Sequence, residues 1–323
     1  MQELIDRACQ LLEDKTVDRV LGWSAGEFVY DITPCVFTDV DDIKKNFVFN
    51  DFCGQNLSKY LVAETEKEGK IAVFLKPCDT YSFNQLLTEH RINRDKVYAV
   101  GIPCDGKVSG ERLHEGGLEG ITGIEREGDN FKVHTVYGDE EIPMADALDE
   151  RCKNCKSKKH VVYDELLGED GEVLDSHRFD QVEELEKLTP EERFKFWQGE
   201  FSRCIRCNAC RNACPACTCT TCVFDNPESG VKNKAAANSF EEQLFHIIRA
   251  YHVAGRCTDC GECSRVCPEH IPLHLLNRKF TKDVDSLYGE FQAGEVEGQM
   301  SPVNAFTTDK DAEPNIVREG GKV

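Results

Sequence analysis

The spacing C-x2-C-x2-C-x3-C-P occurs twice in this chain, at Cys204, Cys207, Cys210, Cys214 and at Cys257, Cys260, Cys263, Cys267. Three cysteines two residues apart can wrap one iron–sulfur cluster corner by corner. The fourth, ahead of proline, leaves in another direction and reaches a second cluster. The expected ligand sets are therefore crossed. Cys204, Cys207, Cys210 and Cys267 are expected on one [4Fe-4S] cluster, and Cys257, Cys260, Cys263 and Cys214 on another. Zinc also takes four thiolates, but its sites usually pair C-x2-C units across a longer loop. Repetition of the full signature favours two clusters.

The remaining composition fits that reading. Eighteen cysteines without an apolar signal-peptide core point to metal or redox chemistry in a cytoplasmic chain, not to disulfides. No apolar run approaches the ~20 residues of a membrane span. A net charge of −20 speaks against nucleic acid as a partner and leaves protein subunits as the natural contacts.

Four segments are expected: an α/β domain with parallel strands over 1–165, an acidic linker over 166–188, a mainly α-helical dicluster domain over 189–284, and a polar tail over 285–323. In the first, IAVFLK (71–76) and VYAVGI (97–102) read as strands. DTYSFNQLLTEH between them reads as a helix capped by Asp79, which makes a β-α-β unit with parallel strands. FKVHTVY (131–137) is a further strand, and 3–13 and 56–68 are helices. In the third segment, Thr189-Pro-Glu-Glu192 and Ser239 to Glu242 are capping boxes. The helix after the second carries Phe240, Leu244, Ile247, Ile248 and Tyr251 as its apolar stripe, and Gly255 closes it. His246 and His252 on that helix are read as packing or surface residues.

A third metal set is expected in the first domain. Cys78 and Cys104 each follow a predicted parallel strand, at the sheet edge where α/β folds bind ligands. Cys152 and Cys155 would complete four thiols. Arg151, Lys153, Lys156, Lys158 and Lys159 would offset their charge. A third [4Fe-4S] cluster is the expectation, with structural zinc or a redox dithiol as the alternatives. Cys217, Cys219 and Cys222, past the first run, either pack as small hydrophobes, ligate a further cluster or replace one of the eight ligands.

Two resemblances add to these readings. HVAGRCTDCGECSRVCPEHIPL is similar to the α-helical ferredoxin domains of heterodisulfide-reductase-type and fumarate-reductase-type iron–sulfur subunits. KPCDTYSF, GIPCDG and RCKNCKSKKHVVYDELLG, in that order, resemble the coenzyme F420 (deazaflavin) hydrogenase and dehydrogenase β-subunit family. The second resemblance implies an α/β domain, a cluster held partly by the Gly-x-Pro-Cys cysteine, and FAD. Where that family opens its flavin cradle on a Gly-Gly stretch, this chain reads NDFCGQNLSKYL (50–61) with Gly54 alone, which weighs against FAD. The expected function is that of an electron-transfer subunit. It would relay electrons between a flavoprotein or hydrogenase-type partner and a catalytic subunit of heterodisulfide reductase, formate dehydrogenase or hydrogenase type, without catalysis of its own. The alternative is a flavin-dependent dehydrogenase subunit that oxidises reduced deazaflavin or nicotinamide and feeds its own clusters.

Overall fold

The structure, a computed structural model, describes residues 1–229 and 239–305. Helix α1 (Gln2–Glu13) precedes an antiparallel hairpin of β1 (Arg19–Ala25) and β2 (Ile32–Phe37). Next come α2 (Val40–Asn46), then a 3-10 turn (Leu57–Tyr60) that runs into α3 (Leu61–Glu64). The expected β-α-β unit follows as β3 (Ile71–Leu75), α4 (Pro77–Thr88) and β4 (Val97–Gly101), with β3 and β4 parallel. Every residue of β3 is buried, as befits a central strand covered on both faces. The sheet runs in the order β2, β1, β3, β4 and lastly β8 (Glu165–Leu166), which pairs parallel to β4.

Between β4 and β8 lie α5 (Gly110–Glu115) and the antiparallel meander β5 (Ile121–Glu127), β6 (Asn130–Thr135) and β7 (Gly138–Pro143). Two short helices, α6 (Met144–Ala147) and α7 (Glu150–Lys153), complete this stretch. The FKVHTVY strand is thus β6. It sits in a second sheet and sends Phe131 and Val133 into the main core. The helix expected over 56–68 is shorter: Asn56 caps the 3-10 turn, and α3 ends at Glu64.

Past Leu166 the named elements among the described residues are all helices: α8 (Asp180–Lys187), α9 (Pro190–Ser202), α10 (Ala209–Asn212), a 3-10 turn (Pro227–Ser229), α11 (Ser239–Val253), α12 (Glu262–Arg265) and α13 (Leu273–Tyr288). The Thr189–Glu192 capping box forms, with Pro190 opening α9. The side chain of Ser239 lies outside the described residues. Gly255, two residues past α11, takes the left-handed φ of +67°.

Three expectations need correction. The stretch 166–188 is not simply a linker. It contains α8, because Val182 is buried and Lys279 and Lys282 of α13 pair with Glu186. The tail expected from 285 is ordered through 305. Phe291 and Ala293 are buried with Val284, and Gly294 lies so close to the carbonyl of Tyr81 that a Cβ there would clash at 1.8 Å. Residues 306–323 are outside the described set. Finally, Asp79 is not the N-cap of α4 but its third residue. It closes a buried ion pair at 2.8 Å with Lys76, the residue at the cap position.

That pair is fully enclosed, with both side chains 1% exposed. Asp79→Ala would leave Lys76 without its counter-charge and should cost about 3–5 kcal/mol. The double change Lys76→Met with Asp79→Leu should cost less, since no buried charge remains. Denaturant melts of the three proteins check the order.

Candidate metal centre

The two cysteine runs fold as repeats of each other. In the first, Arg206 and Asn208 take left-handed φ values of 55° and 63°. In the second, Asp259 and Gly261 do so at 56° and 70°. These are the second and fourth residues after the leading cysteine in each run. The reversals curl the two-residue spacers, and a single helical turn follows at the same offset, α10 in one run and α12 in the other.

The thiols of the two expected sets have these surroundings. Cys204, Cys207, Cys210 and Cys267 line one cavity with Phe245, His246 and Ile271. Cys214 is not among the residues lining that cavity; its thiol is hydrogen-bonded with that of Cys217 and lies within electrostatic reach of Cys257, Cys260 and Cys263. Burial pushes the Cys210 and Cys260 thiols up to about 12. Such thiols become ligands only when a metal supplies the charge that removes their protons. Among the described residues, no three His, Cys, Asp or Glu side chains crowd together as a single metal ion requires. The thiols stand around cavities instead.

The third set is brought together as well. Leu75 and Gly101 pair across β3 and β4, and Cys78 and Cys104 each lie three residues beyond them. Both line a cavity with Cys152, at the end of α7, and Cys155. Cys260 of the second run lines the same cavity, so the two sites share a wall. Burial first, then Asp79, pushes the Cys78 thiol up strongly, and burial pushes Cys152 up to about 11.

The cations around this cavity differ in part from expectation. Arg151, Lys156 and Lys158 line it, whereas Lys153 pairs with Glu150 on the surface of α7. Lys159 is not among the lining residues, and Lys76 and Lys107 stand there in addition. Those two were not singled out because a buried lysine looks like any other in sequence. Aromatic faces hold them: Lys76 sits over Trp23, and Lys107 over Phe49 at 3.9 Å. Lys156 lies over Tyr81, and burial pulls it down to about 8.

Arg151 ties the domains together at this wall. It donates to the carbonyls of Gly54 and Cys260 and pairs with Asp149 and Glu262. Lys156 donates to the Thr258 carbonyl at 2.6 Å, and the Ser82 and Thr258 hydroxyls meet at 2.9 Å.

His246, read from sequence as a packing residue, does more. Its Nε2 lies 3.2 Å from Cys204 Sγ, its ring stacks on Phe201, and burial pushes it down to about 3. The buried residues of α11 include Glu242, Phe245, His246, Arg249, Ala250 and Val253, whereas Phe240, Ile247 and Tyr251 of the expected stripe are exposed. An apolar period alone does not show this, because the inward face mixes apolar Phe245, Ala250 and Val253 with polar His246 and Arg249, which stand beside cysteines.

Comparison with known proteins agrees with these observations. A family model of the 4Fe-4S dicluster domain matches residues 200–271. The F420-dependent formate dehydrogenase subunit beta of Methanocaldococcus jannaschii is 26% identical over 336 aligned residues, which cover 86% of this chain and 88% of that protein. The F420-dependent formate dehydrogenase 1 subunit beta of Methanococcus maripaludis is 34% identical over 98 residues, 30% of this chain and 25% of that protein. Among solved structures, a chain of the xenon-derivatised F420-reducing [NiFe] hydrogenase complex from Methanosarcina barkeri aligns with a TM-score of 0.40 and 17% identity. The alignment covers 61% of this chain and 84% of that one. The chain therefore carries a 4Fe-4S dicluster domain and is homologous over most of its length to a formate dehydrogenase β subunit.

At the second left-handed position the first run has Asn208 and the second run has Gly261, which lacks a Cβ. A Cβ at Gly261 would stand 2.6 Å from Cβ of Arg151. Gly261→Ala should therefore destabilise the protein by about 1–3 kcal/mol through backbone strain, with the clash in addition. Asn208→Gly should be near neutral in the same thermal melts.

Proposed function

We propose that this chain is the iron–sulfur relay subunit of an oxidoreductase complex. Its relay would comprise two clusters in a helical ferredoxin-type domain and a third at the strand ends of the α/β domain. The observation that carries this reading is the shared wall. Cys260, assigned to the cluster of Cys257, Cys263 and Cys214, also lines the cavity of Cys78, Cys104, Cys152 and Cys155. Bound there, the clusters supply one-electron transfer at short range. The crossed sets place Cys214 with the second run and Cys267 with the first.

The residues around the thiols do the rest. Arg151, Lys76, Lys107 and Lys156 supply positive charge beside the strand-end set, and Arg249 does so between the two runs. Asn277 donates toward Cys263 Sγ at 3.5 Å. Burial disfavours the charged form of His246, and with its proton on Nε2 the ring would donate to a Cys204 thiolate, which has none.

The homologue's name carries a partner and a substrate: a formate dehydrogenase and a deazaflavin. We assign this chain the β-subunit position in a complex of that kind, with a flavoprotein, hydrogenase or formate dehydrogenase as neighbour. The dehydrogenase alternative requires bound FAD. Gly54, the one glycine kept from that family's flavin cradle, faces Arg151 Nη2 and Arg265 at 3.1 and 3.3 Å from where a Cβ would be. The approach that glycine permits is thus occupied by the protein's own arginines, which favours the relay reading.

Anaerobically purified protein should contain at least about twelve iron and twelve sulfide per chain, without stoichiometric zinc. Cys214→Ser should disturb the cluster of the second run, not that of its own. Loss of the first run's EPR signal instead would replace crossed with local ligation. His246→Phe should lower the midpoint potential of the cluster on Cys204 by on the order of 50 mV, since a hydrogen bond to sulfur favours the reduced form. A redox titration followed by EPR reads this directly.

A further inference from the structure

Within seven residues after the proline of the first run come three more cysteines, none of which belongs to the sets above. Cys217, Cys219 and Cys222 line one cavity together with Lys59, Arg211, Arg249, Arg256 and His252. Simple packing does not account for them, because Cys219 is exposed and the other two are only partly buried.

The loop is built rather than loose. Three consecutive carbonyls are each taken by a cation: Ala216 by Arg256, Cys217 by Lys59 and Thr218 by Arg91. Lys59 and Arg91 come from the α/β domain, and Arg256 is itself paired with Glu89 of that domain. These bonds occupy the three carbonyls and fix the backbone of the loop. Arg211, fixed by Asp225 at 2.6 Å, stands on the side of Cys222.

A second observation points to an anionic occupant. Arg249 is 4% exposed, lines this cavity, and has no hydrogen-bond partner for its Nε. A buried guanidinium N–H without an acceptor is costly unless a ligand supplies one. Three thiolates with inorganic sulfide would give several acceptors and the negative charge that four cations can balance.

We propose that Cys217, Cys219 and Cys222 hold a further [4Fe-4S] cluster, with His252 of the same cavity as the fourth donor. The proposal rests on the relay reading and extends it. The site adjoins Cys214, so it would form an end of the relay that opens at the surface through Cys219. A single ion fits less well, since no three such donors among the described residues are grouped for one.

The test is anaerobic alkylation of the full-length, iron-loaded chain with iodoacetamide, read by peptide mapping, with metal content measured alongside. Cys207 and Cys219 are both exposed, so either would react readily as a free thiol. The expected result is that both remain unlabelled, and both become fully labelled once a chelator has removed the iron. Labelling of Cys219 while Cys207 stays protected overturns this proposal and leaves the relay reading standing. Labelling of Cys207 in the iron-loaded protein strikes the relay reading itself. Protection of Cys219 that survives iron removal and reduction, or that ends with release of zinc, overturns the cluster assignment at this loop.

Discussion

A buried thiolate is tolerable only where positive charge shares its cavity, and the architecture of this protein follows from that constraint. Burial above all pushes the thiols of Cys78, Cys152, Cys210 and Cys260 up. Left to themselves they would be protonated, and poor ligands. Around them the fold collects cations that would otherwise belong on the surface. Lys76 is held by Asp79 and Trp23, Lys107 by Phe49, Lys156 by Tyr81 and Arg151 by Asp149 and Glu262. Each of these buried charges is itself compensated, so the cavities can be electropositive without being unstable.

The same groups join the two halves of the chain. The helical part has a small apolar core of its own, with Phe201, Phe245, Ile271 and Leu273 packed beside Cys210 and Cys263. Much of its interior is cysteine-lined cavity instead. Metal binding then becomes folding free energy, as in other small metal-held domains. Polar links to the α/β domain add to this, above all Arg151 to Cys260 and Glu262, Lys156 to Thr258, and Arg256 to Glu89. The segment after α13 crosses back as well, and Gly298 N–H donates to Thr88 Oγ1 on α4.

What was legible in the sequence were features with strict local period or spacing. The β3-α4-β4 unit, the cap of α9 and both cysteine runs need only a few neighbouring residues to specify them. The expectation of crossed ligand sets has the same local basis, because the proline after each fourth cysteine sends the chain away. Features whose meaning depends on a distant partner were not. Strand β2 is an edge strand with one fully covered residue at each end and mixed exposure between, so its period is blurred. Helix α8 has little apolar content, and its glutamates find their lysines almost 100 residues on, in α13. Phe291 and Ala293 read as parts of a polar tail until α13 and α4 supply cover. His246 and Arg249 are polar residues on an amphipathic helix, and only the position of Cys204 and Cys210 turns that polar face inward.

The duplication makes the two runs alike in spacing but not in surroundings, and a single arginine accounts for the difference. Arg151 fills the space where a Cβ at Gly261 would stand, and it reaches the carbonyls of Gly54 and Cys260. At the equivalent place in the first run stands Asn208, with a left-handed φ of 63°. Glycine thus marks the run that lies against the α/β domain. The other run keeps an exposed cysteine, Cys207, near its start. A symmetric repeat has in this way been given an inner end, walled by the strand-end cysteines, and an outer end that faces solvent. That asymmetry is what a relay needs, since electrons must enter and leave at different places.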